Sequence, residues 1–242
     1  MIRPPWRRGA SFPPFCSLNS RMSVFHPLLD ELPEEFPVFP LGGALLLPGG
    51  HLPLNIFEPR YLALVEDALA EGRYFGMVQP DKRLARGETG PGLFRIGCLG
   101  RITSFAEAED NRYIITLTGV IRFTIVEETE MRRGYRRVQA GLSGFAPDMR
   151  APEGVMPFPR QMLLDALRRY FETAGVDANW DAIADMPDAA LVTSLCMACP
   201  FTVEEKQALL EARDSITRAE ALRVLLEIDS FDKGDGSEPQ AS

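Results

Sequence analysis

The sequence contains few of the side chains from which hydrolytic enzymes are built. Only three lysines occur, Lys82, Lys206 and Lys233, and no Gly-Lys pair is present in the chain. A phosphate-binding P-loop requires Gly-Lys followed by Ser or Thr, so this type of ATP site is excluded. A lysine that acts as a general base must be desolvated so that its pKa falls, and Lys82 lies in a polar loop. We therefore predict no catalytic residue, no enzymatic activity and no cofactor.

Histidine and cysteine are too sparse to predict a metal centre. His26 and His51 are the only imidazoles, and a two-histidine site would need His26 from an N-terminal extension. Cys196 and Cys199 have redox spacing, but they end a predicted helix, and no second cysteine pair could complete a zinc tetrahedron. We expect these two thiols to pack in a helical core. Four scattered cysteines favour reduced thiols and a cytoplasmic location.

Long apolar runs and an excess of positive charge are also absent. No stretch approaches the ~18 consecutive apolar residues that a helix needs to cross a bilayer. The chain has 26 basic and 34 acidic residues, a formal net charge of -8, whereas a general nucleic-acid binder presents a cationic surface to the phosphates. We therefore predict that the protein has no membrane partner, and the charge disfavours nucleic acid as a partner.

Composition divides the chain into five consecutive regions. Glycine and proline, 20 of each, cut the first two thirds into short segments, which is typical of strands joined by tight turns. The first residues are basic, rich in proline and free of acid, and we interpret them as a disordered extension rather than a transit-like leader. The predicted regions are a disordered extension (1–35), a β-barrel subdomain (36–146), a connector (147–157), a helical subdomain (158–230) and a disordered tail (231–242).

Alternation of apolar and polar residues predicts seven strands in the β-rich region. A helix that begins at Pro59 follows the second strand, because proline is tolerated in the first turn of a helix. Glu109, Asp110 and Asn111 form the predicted turn of a central hairpin. The predicted strands cover 38–41, 52–57, 74–79, 94–107, 113–120, 123–130 and 136–144.

Helix starts in the last third carry capping signals. An apolar stripe over 163–171 predicts one helix, and a second begins near Asp188. Thr202 and Glu205 have the spacing of a capping box, in which the hydroxyl and the carboxylate each accept a backbone N–H of the other residue. We predict the same arrangement for Thr217 and Glu220, which have the same spacing.

The most distinctive stretch joins an apolar strand to the first helix. Residues 52–61 run from Leu-Pro-Leu-Asn-Ile-Phe into Glu-Pro-Arg-Tyr, and they follow Phe-Pro-Val-Phe-Pro-Leu at 36–41. A Gly-Cys-Leu-Gly-Arg-Ile segment at 97–102 and a Pro-Phe-Thr-Val-Glu-Glu segment at 200–205 come later in the chain. This order of motifs resembles that of the Lon N-terminal domain family, and the resemblance extends over about residues 36–228.

The resemblance implies both a fold and a role. The implied fold is α+β: a PUA-like, partly open β-barrel with one crossing helix, followed by a C-terminal helical bundle. In family terms the chain is similar to a free-standing substrate-binding domain without the ATPase and protease domains. The family's role in substrate capture implies a non-catalytic module that recognises unfolded or extended protein segments, by edge-strand addition or in a groove.

Two alternatives to this role stay open. One is an adaptor or regulator that docks to a separate ATP-dependent protease or another protein, and the family resemblance also implies a possible homo-oligomer. The other is a PUA-like nucleic-acid binder, which rests on fold analogy alone.

Two sets of residues are candidates for a binding site. The first, which we call the motif, is either a structural lock at the helix start or the rim of a peptide groove. The second, the basic hairpin, is either a phosphate or acidic-peptide site or a solvated turn that guards an edge strand. The motif comprises Asn55, Phe57, Glu58, Pro59, Arg60 and Tyr61, and the basic hairpin comprises Arg132, Arg133, Tyr135, Arg136 and Arg137.

Overall fold

The computed structural model describes residues 27–87, 89–150 and 158–234 of the 242-residue chain. The described residues divide into two compact units. The sheet unit comprises 27–150 together with Cys196–Glu211, and the helical unit comprises 158–195 together with 212–234.

Six strands of the described chain form a single sheet. They are β1 (Glu35–Pro40), β2 (His51–Ile56), β3 (Tyr74–Val78), β4 (Ile96–Ala108), β5 (Arg112–Arg132) and β6 (Tyr135–Gly141). The strand order is β2-β5-β4-β3-β1-β6, and β5 pairs additionally with β6. β1 and β3 are parallel, whereas the other pairs are antiparallel.

The length of β5 explains the shape of the sheet. Its first half pairs with β2 and β4, and its second half, from Thr124 to Arg132, pairs with β6. Because β6 also pairs with β1, the strands close on themselves in part, and the sheet is partly ring-like rather than a complete barrel. The prediction had divided this strand into 113–120 and 123–130. The hairpin before it turns at Asp110 and Asn111, both with positive φ.

Two glycines allow chain segments to approach the sheet closely. A Cβ at Gly97 would lie 2.5 Å from the ring of Phe123, and a Cβ at Gly119 would lie 2.0 Å from the carbonyl oxygen of Leu47. Phe123 is fully buried and makes an edge-on contact with Phe36, with ring centroids 5.0 Å apart. These two rings belong to the core enclosed by the ring of strands.

Six α-helices occur among the described residues. They are α1 (Pro59–Ala70), α2 (Arg160–Ala174), α3 (Trp180–Asp185), α4 (Asp188–Ala198), α5 (Val203–Glu211) and α6 (Ser215–Gly234). Short 3-10 helices cover Leu29–Glu31 and Ser143–Met149. In the helical unit α2 packs against α6, and its core contains Leu163, Leu167, Leu222 and Leu226.

The α+β class and the mixed sheet-and-helix architecture are confirmed. The predicted capping box at the start of α5 is confirmed as well. The amide of Glu205 donates to Thr202 Oγ1 at 3.2 Å, and the amide of Thr202 donates to Glu205 Oε2 at 2.8 Å. The second predicted box was wrong. Asp214 caps α6, since its carboxylate accepts the amide of Thr217 at 2.8 Å. An aspartate one helical turn earlier is an equally good N-cap.

Several predicted region boundaries differ from the structure. The ordered chain begins before residue 36, because Leu32 is buried against the core of the sheet unit. Helix α6 continues past 230 to Gly234. Residues 196–211, predicted to belong to a contiguous helical subdomain, lie in the sheet unit. Residues 1–26, 151–157 and 235–242, which include most of the predicted extension, connector and tail, lie outside the described residues.

Candidate functional site

The motif forms the corner between β2 and α1. Glu58 is the N-cap residue of α1 and Pro59 is its first residue. The carbonyl oxygen of Glu58 accepts the amides of Tyr61 and Leu62, at 2.9 and 3.0 Å. Arg60 donates through Nε and Nη2 to Glu58 Oε2, at 3.1 and 2.9 Å. Both side chains are about half exposed, 49% and 47%, so this ion pair contributes at most ~1 kcal/mol.

The motif residues differ in burial. Tyr61 is only 7% exposed, and the Arg60 guanidinium lies 4.5 Å from the centre of its ring. Phe57, the aromatic residue of the motif that precedes the helix, is 49% exposed. The reason is the alternation of β2: Leu54 and Ile56 point inward, so Asn55 and Phe57 point outward.

The basic hairpin joins β5 to β6 and is bound to the acidic face of α1. Arg132 donates to Glu71 Oε1 at 2.6 Å. Arg133 donates to Glu66 Oε2 at 2.7 Å and to Asp67 Oδ1 at 2.9 Å. The positive charge of the turn is therefore paired within the sheet unit.

Asp67 is the centre of this network. It accepts a hydrogen bond from the Tyr135 hydroxyl at 2.6 Å as well as from Arg133. Burial alone would raise the pKa of Asp67, but the bonds from Tyr135 and Arg133 and the charge of Arg132 hold it below its usual value. Burial and the Asp67 carboxylate together raise the pKa of the Tyr135 phenol. The carboxylate therefore stays ionised and fixes the side chain of Tyr135, which is buried.

The last two arginines of the hairpin are paired as well. Arg136, 5% exposed, donates to both oxygens of Glu128, at 2.9 and 2.5 Å, and to the carbonyl oxygen of Pro91 at 2.7 Å. Arg137 lies 3.1 Å from Glu35 Oε1. Each arginine of the hairpin thus has an acidic partner, which counts against a phosphate site here.

The two predicted sets of residues meet at a small cleft, which we call the motif cleft. Its volume is about 100 Å³. Arg60 and Tyr61 of the motif line it, together with Tyr135 and Arg136 of the basic hairpin. The remaining lining residues are Gly134, Thr89 and three prolines that sequence reasoning did not identify, Pro40, Pro80 and Pro91. Asn55, Phe57 and Glu58 are not among the lining residues.

Tyr61 is the unusual side chain of this cleft. Its hydroxyl forms no hydrogen bond to any described residue and stays in reach of solvent, although the residue as a whole is only 7% exposed. Burial raises the pKa of its phenol, an effect that the positive charge of Arg60 opposes. The hydroxyl is therefore protonated at neutral pH and can donate a hydrogen bond to an acceptor that enters the cleft.

A second polar cluster of the sheet unit lies where α5 meets the strands, and we call it the polar junction. It comprises Gln79, Arg122, Asp148, Lys206 and Gln207. Arg122 donates to both oxygens of Asp148 at 2.8 Å and to the carbonyl oxygen of Leu210 at 3.1 Å. The Lys206 ammonium donates to the carbonyl oxygen of Gly43 at 2.8 Å. Gln207 donates to the carbonyl oxygen of Ile96 at 3.0 Å and accepts from Gln79 at 3.3 Å.

Lys206 shows why the sequence did not predict the polar junction. This lysine lies in the first turn of α5, directly after the capping box, where lysine is normally solvated, but it is 4% exposed. Burial lowers its pKa, which its interactions with Cys199 and Cys196 partly offset. Cys196 and Cys199 are buried thiols, as expected for packing in a core. No cluster of potential metal ligands occurs among the described residues.

The helical unit carries a separate apolar groove between α2 and α6. Its volume is about 430 Å³, and Phe158, Met162 and Val224 are among its lining residues. Farther along α6, Ile228 is 50% exposed and Phe231 is 77% exposed. None of the helices within the described residues is both long and apolar enough for a transmembrane span.

Comparison with known proteins gives one consistent result. The family model for the ATP-dependent protease La (LON) substrate-binding domain matches residues 35–227. "Lon protease 2" from Sorangium cellulosum is 27% identical over 225 residues, which is 82% of this chain and 26% of that protein. "Lon protease 2" from Myxococcus xanthus is 26% identical over 98 residues, which is 40% of this chain and 12% of that protein. The chain thus spans about an eighth to a quarter of these relatives.

Solved structures of similar fold point the same way. A Lon N-terminal domain protein from Xanthomonas campestris superposes with a TM-score of 0.56 at 23% identity, covering 78% of this chain and 97% of that one. The N-terminal domain of Mycobacterium avium complex Lon protease gives a TM-score of 0.56 at 17% identity, covering 81% and 98%. At these identities the likeness supports the fold alone.

Proposed function

Since the chain belongs to the Lon substrate-binding domain family, we propose that it is a non-catalytic module that binds unfolded or extended segments of other polypeptides. The observation that carries this proposal is the motif cleft, where the motif and the basic hairpin meet around the Tyr61 hydroxyl, which forms no hydrogen bond to any described residue. The absence of a Gly-Lys pair from the sequence supports a role without ATP hydrolysis. Buried thiols that form no disulfide within the described chain fit a reducing, cytoplasmic setting.

The chemistry of the cleft suits polypeptide better than nucleic acid. The four arginines of the basic hairpin are each paired with an acidic residue of the same unit. A phosphate backbone would have to displace these carboxylates before it gained a charge partner. Unfolded polypeptide, in contrast, offers neutral carbonyl acceptors and apolar side chains, which need no free cation.

Binding to a permanently unfolded protein tests this function. Reduced and carboxymethylated α-lactalbumin, labelled with a fluorophore, is titrated with the full chain and followed by fluorescence anisotropy. We expect saturable binding to this probe and none to native α-lactalbumin at equal concentration. Equal binding to both forms, or to neither, would refute the proposal.

A second candidate function is an adaptor that docks to a separate ATP-dependent protease. The exposed apolar side chains of α6, Val224, Ile228 and Phe231, favour it, because soluble proteins rarely leave a contiguous apolar face uncovered. The full chain, with affinity tag, is recovered from its native lysate, with V224E/I228E as the matched variant. A single stoichiometric partner that the variant loses would support this role. Many unrelated clients, recovered equally by both chains, would favour client binding instead.

A further inference from the structure

The motif cleft has a size, a wall chemistry and a hydroxyl donor that together limit what it can hold. We propose that it takes one aliphatic side chain of an extended polypeptide, while the Tyr61 hydroxyl donates a hydrogen bond to a backbone carbonyl of the same segment. This inference rests on the proposed function and adds to it the class of residue that the site recognises.

The volume of the cleft limits the size of the entering group. At about 100 Å³ it exceeds the space of a single water and falls below the ~150 Å³ of a cavity that accepts benzene. A valine, leucine or proline side chain is of this size, whereas a tryptophan side chain is too large. The cleft therefore selects for aliphatic side chains and against large aromatic ones.

The walls exclude a charged group. Three proline rings and the ring of Tyr61 supply apolar surface. The two arginines that line the cleft are already engaged, Arg60 with Glu58 and Arg136 with Glu128. A charged side chain would lose its hydration without gaining an unpaired partner, which is unfavourable. An uncharged, apolar side chain meets no such penalty.

The Tyr61 hydroxyl supplies the polar contact. The side chain is 7% exposed, and its hydroxyl bonds to no described residue. Solvent still reaches this hydroxyl, so an acceptor that enters the cleft replaces water and gains the net free energy of one hydrogen bond. The backbone carbonyl is an acceptor that every residue of every polypeptide carries. A site built from one aliphatic pocket and one carbonyl contact would therefore accept many different clients.

The structure offers closely matched variants for a test. Tyr61→Phe removes only the hydroxyl from the cleft, and Thr89→Trp fills the cleft from its rim. Tyr74→Phe is the control, since Tyr74 is a partly buried tyrosine at the start of β3 that does not line the cleft. Circular dichroism and urea unfolding check that each variant folds. Affinity for carboxymethylated α-lactalbumin is then measured for all four chains.

We expect Tyr61→Phe to weaken binding by roughly three- to tenfold, the range that the loss of one hydrogen bond produces. Thr89→Trp should weaken it at least as much, and Tyr74→Phe should leave it unchanged. Alternating Ser-X peptides of 12 residues then compete with the probe. Peptides with X as Val or Leu should compete at least fivefold better than those with X as Gly or Trp.

Failure of this inference is distinguishable from failure of the proposed function. If wild-type chain binds the unfolded probe, but Tyr61→Phe binds equally well and Leu and Trp peptides compete equally, the cleft assignment is overturned and polypeptide binding stands. If wild-type chain does not bind the probe, both are refuted. If Tyr61→Phe alone misfolds, the peptide competition with wild-type chain still decides the question.

Discussion

The polar junction and the motif cleft are two polar regions of the same unit, and they differ in how completely the chain satisfies them. At the polar junction, Arg122, Lys206 and Gln207 all find acceptors within the sheet unit. At the motif cleft, Arg136 and Tyr135 are satisfied in the same way, but the Tyr61 hydroxyl has no partner among the described residues. The complete network at the polar junction fixes structure, whereas the hydroxyl without a protein partner is where we propose that a ligand binds.

The largest effect that this comparison predicts is on stability, at the polar junction. Arg122→Met leaves the carboxylate of Asp148, 10% exposed, without its arginine. A buried charge that loses its partner costs about 3 to 5 kcal/mol. We expect urea unfolding, followed by circular dichroism, to show a loss of that size.

The matched control removes both charges together. The double variant R122M/D148L replaces the ion pair with apolar groups of similar volume, which is often neutral in stability. We expect it to recover most of the loss of Arg122→Met. If the single variant loses less than about 1 kcal/mol, the junction is not the complete and buried network that the comparison requires.

A smaller and pH-dependent effect is predicted next to the cleft, at Asp67. Its carboxylate holds Tyr135 and Arg133, so Asp67→Asn should lower the free energy of unfolding by about 1 to 3 kcal/mol at pH 7. The pKa of Asp67 is lowered in the folded state from 3.8. Its contribution is therefore complete above pH 3.8 and is lost as the pH falls through the lowered value.

The pH dependence of the free energy of unfolding provides the control for the Asp67→Asn prediction. The wild-type chain should lose stability relative to Asp67→Asn as the pH falls from about 5 toward 2, because only the wild type has this carboxylate to protonate. Urea midpoints of both chains at each pH measure the difference. A difference between the two chains that stays constant over this pH range would show that the carboxylate does not hold the hairpin.

The smallest effect is predicted at the exposed turn. Arg133 is 48% exposed, and its partners Glu66 and Asp67 keep the hydrogen bonds from Tyr113 and Tyr135 without it, so Arg133→Ala should lower stability least of the three single variants. Because salt screens exposed charges, the cost should shrink further at 1 M NaCl. Thermal unfolding at low and high salt measures it. A loss of stability as large as that of Asp67→Asn would place this arginine with the buried groups rather than the exposed ones.

Local sequence signals predicted the elements of this fold well. The capping box at Thr202, the helix start at Pro59 and the hairpin turn at Asp110 all depend on residues that are close in sequence. The capping residue of α6 was misassigned, because Asp214 and Thr217 both have the chemistry of an N-cap.

The candidate site was only partly predictable. The motif and the basic hairpin were singled out separately, but no local pattern indicated that Tyr61 and Tyr135 would line one cleft. The same holds for Lys206, whose ammonium reaches the carbonyl of Gly43 at a separation of 163 residues. Contacts of this kind depend on which strands pair, and hydropathy alone does not determine strand pairing.

Site-specific photo-crosslinking to an unfolded client tests the central claim most directly. A small diazirine-bearing residue replaces Thr89 at the rim of the motif cleft, and in a second chain it replaces Gln161, an exposed residue of α2. After illumination with carboxymethylated α-lactalbumin, we predict crosslinked product from position 89 and little from position 161. Tyr61→Phe should reduce the yield at position 89. Equal yields from both positions, unaffected by Tyr61→Phe, would contradict a polypeptide site at this cleft.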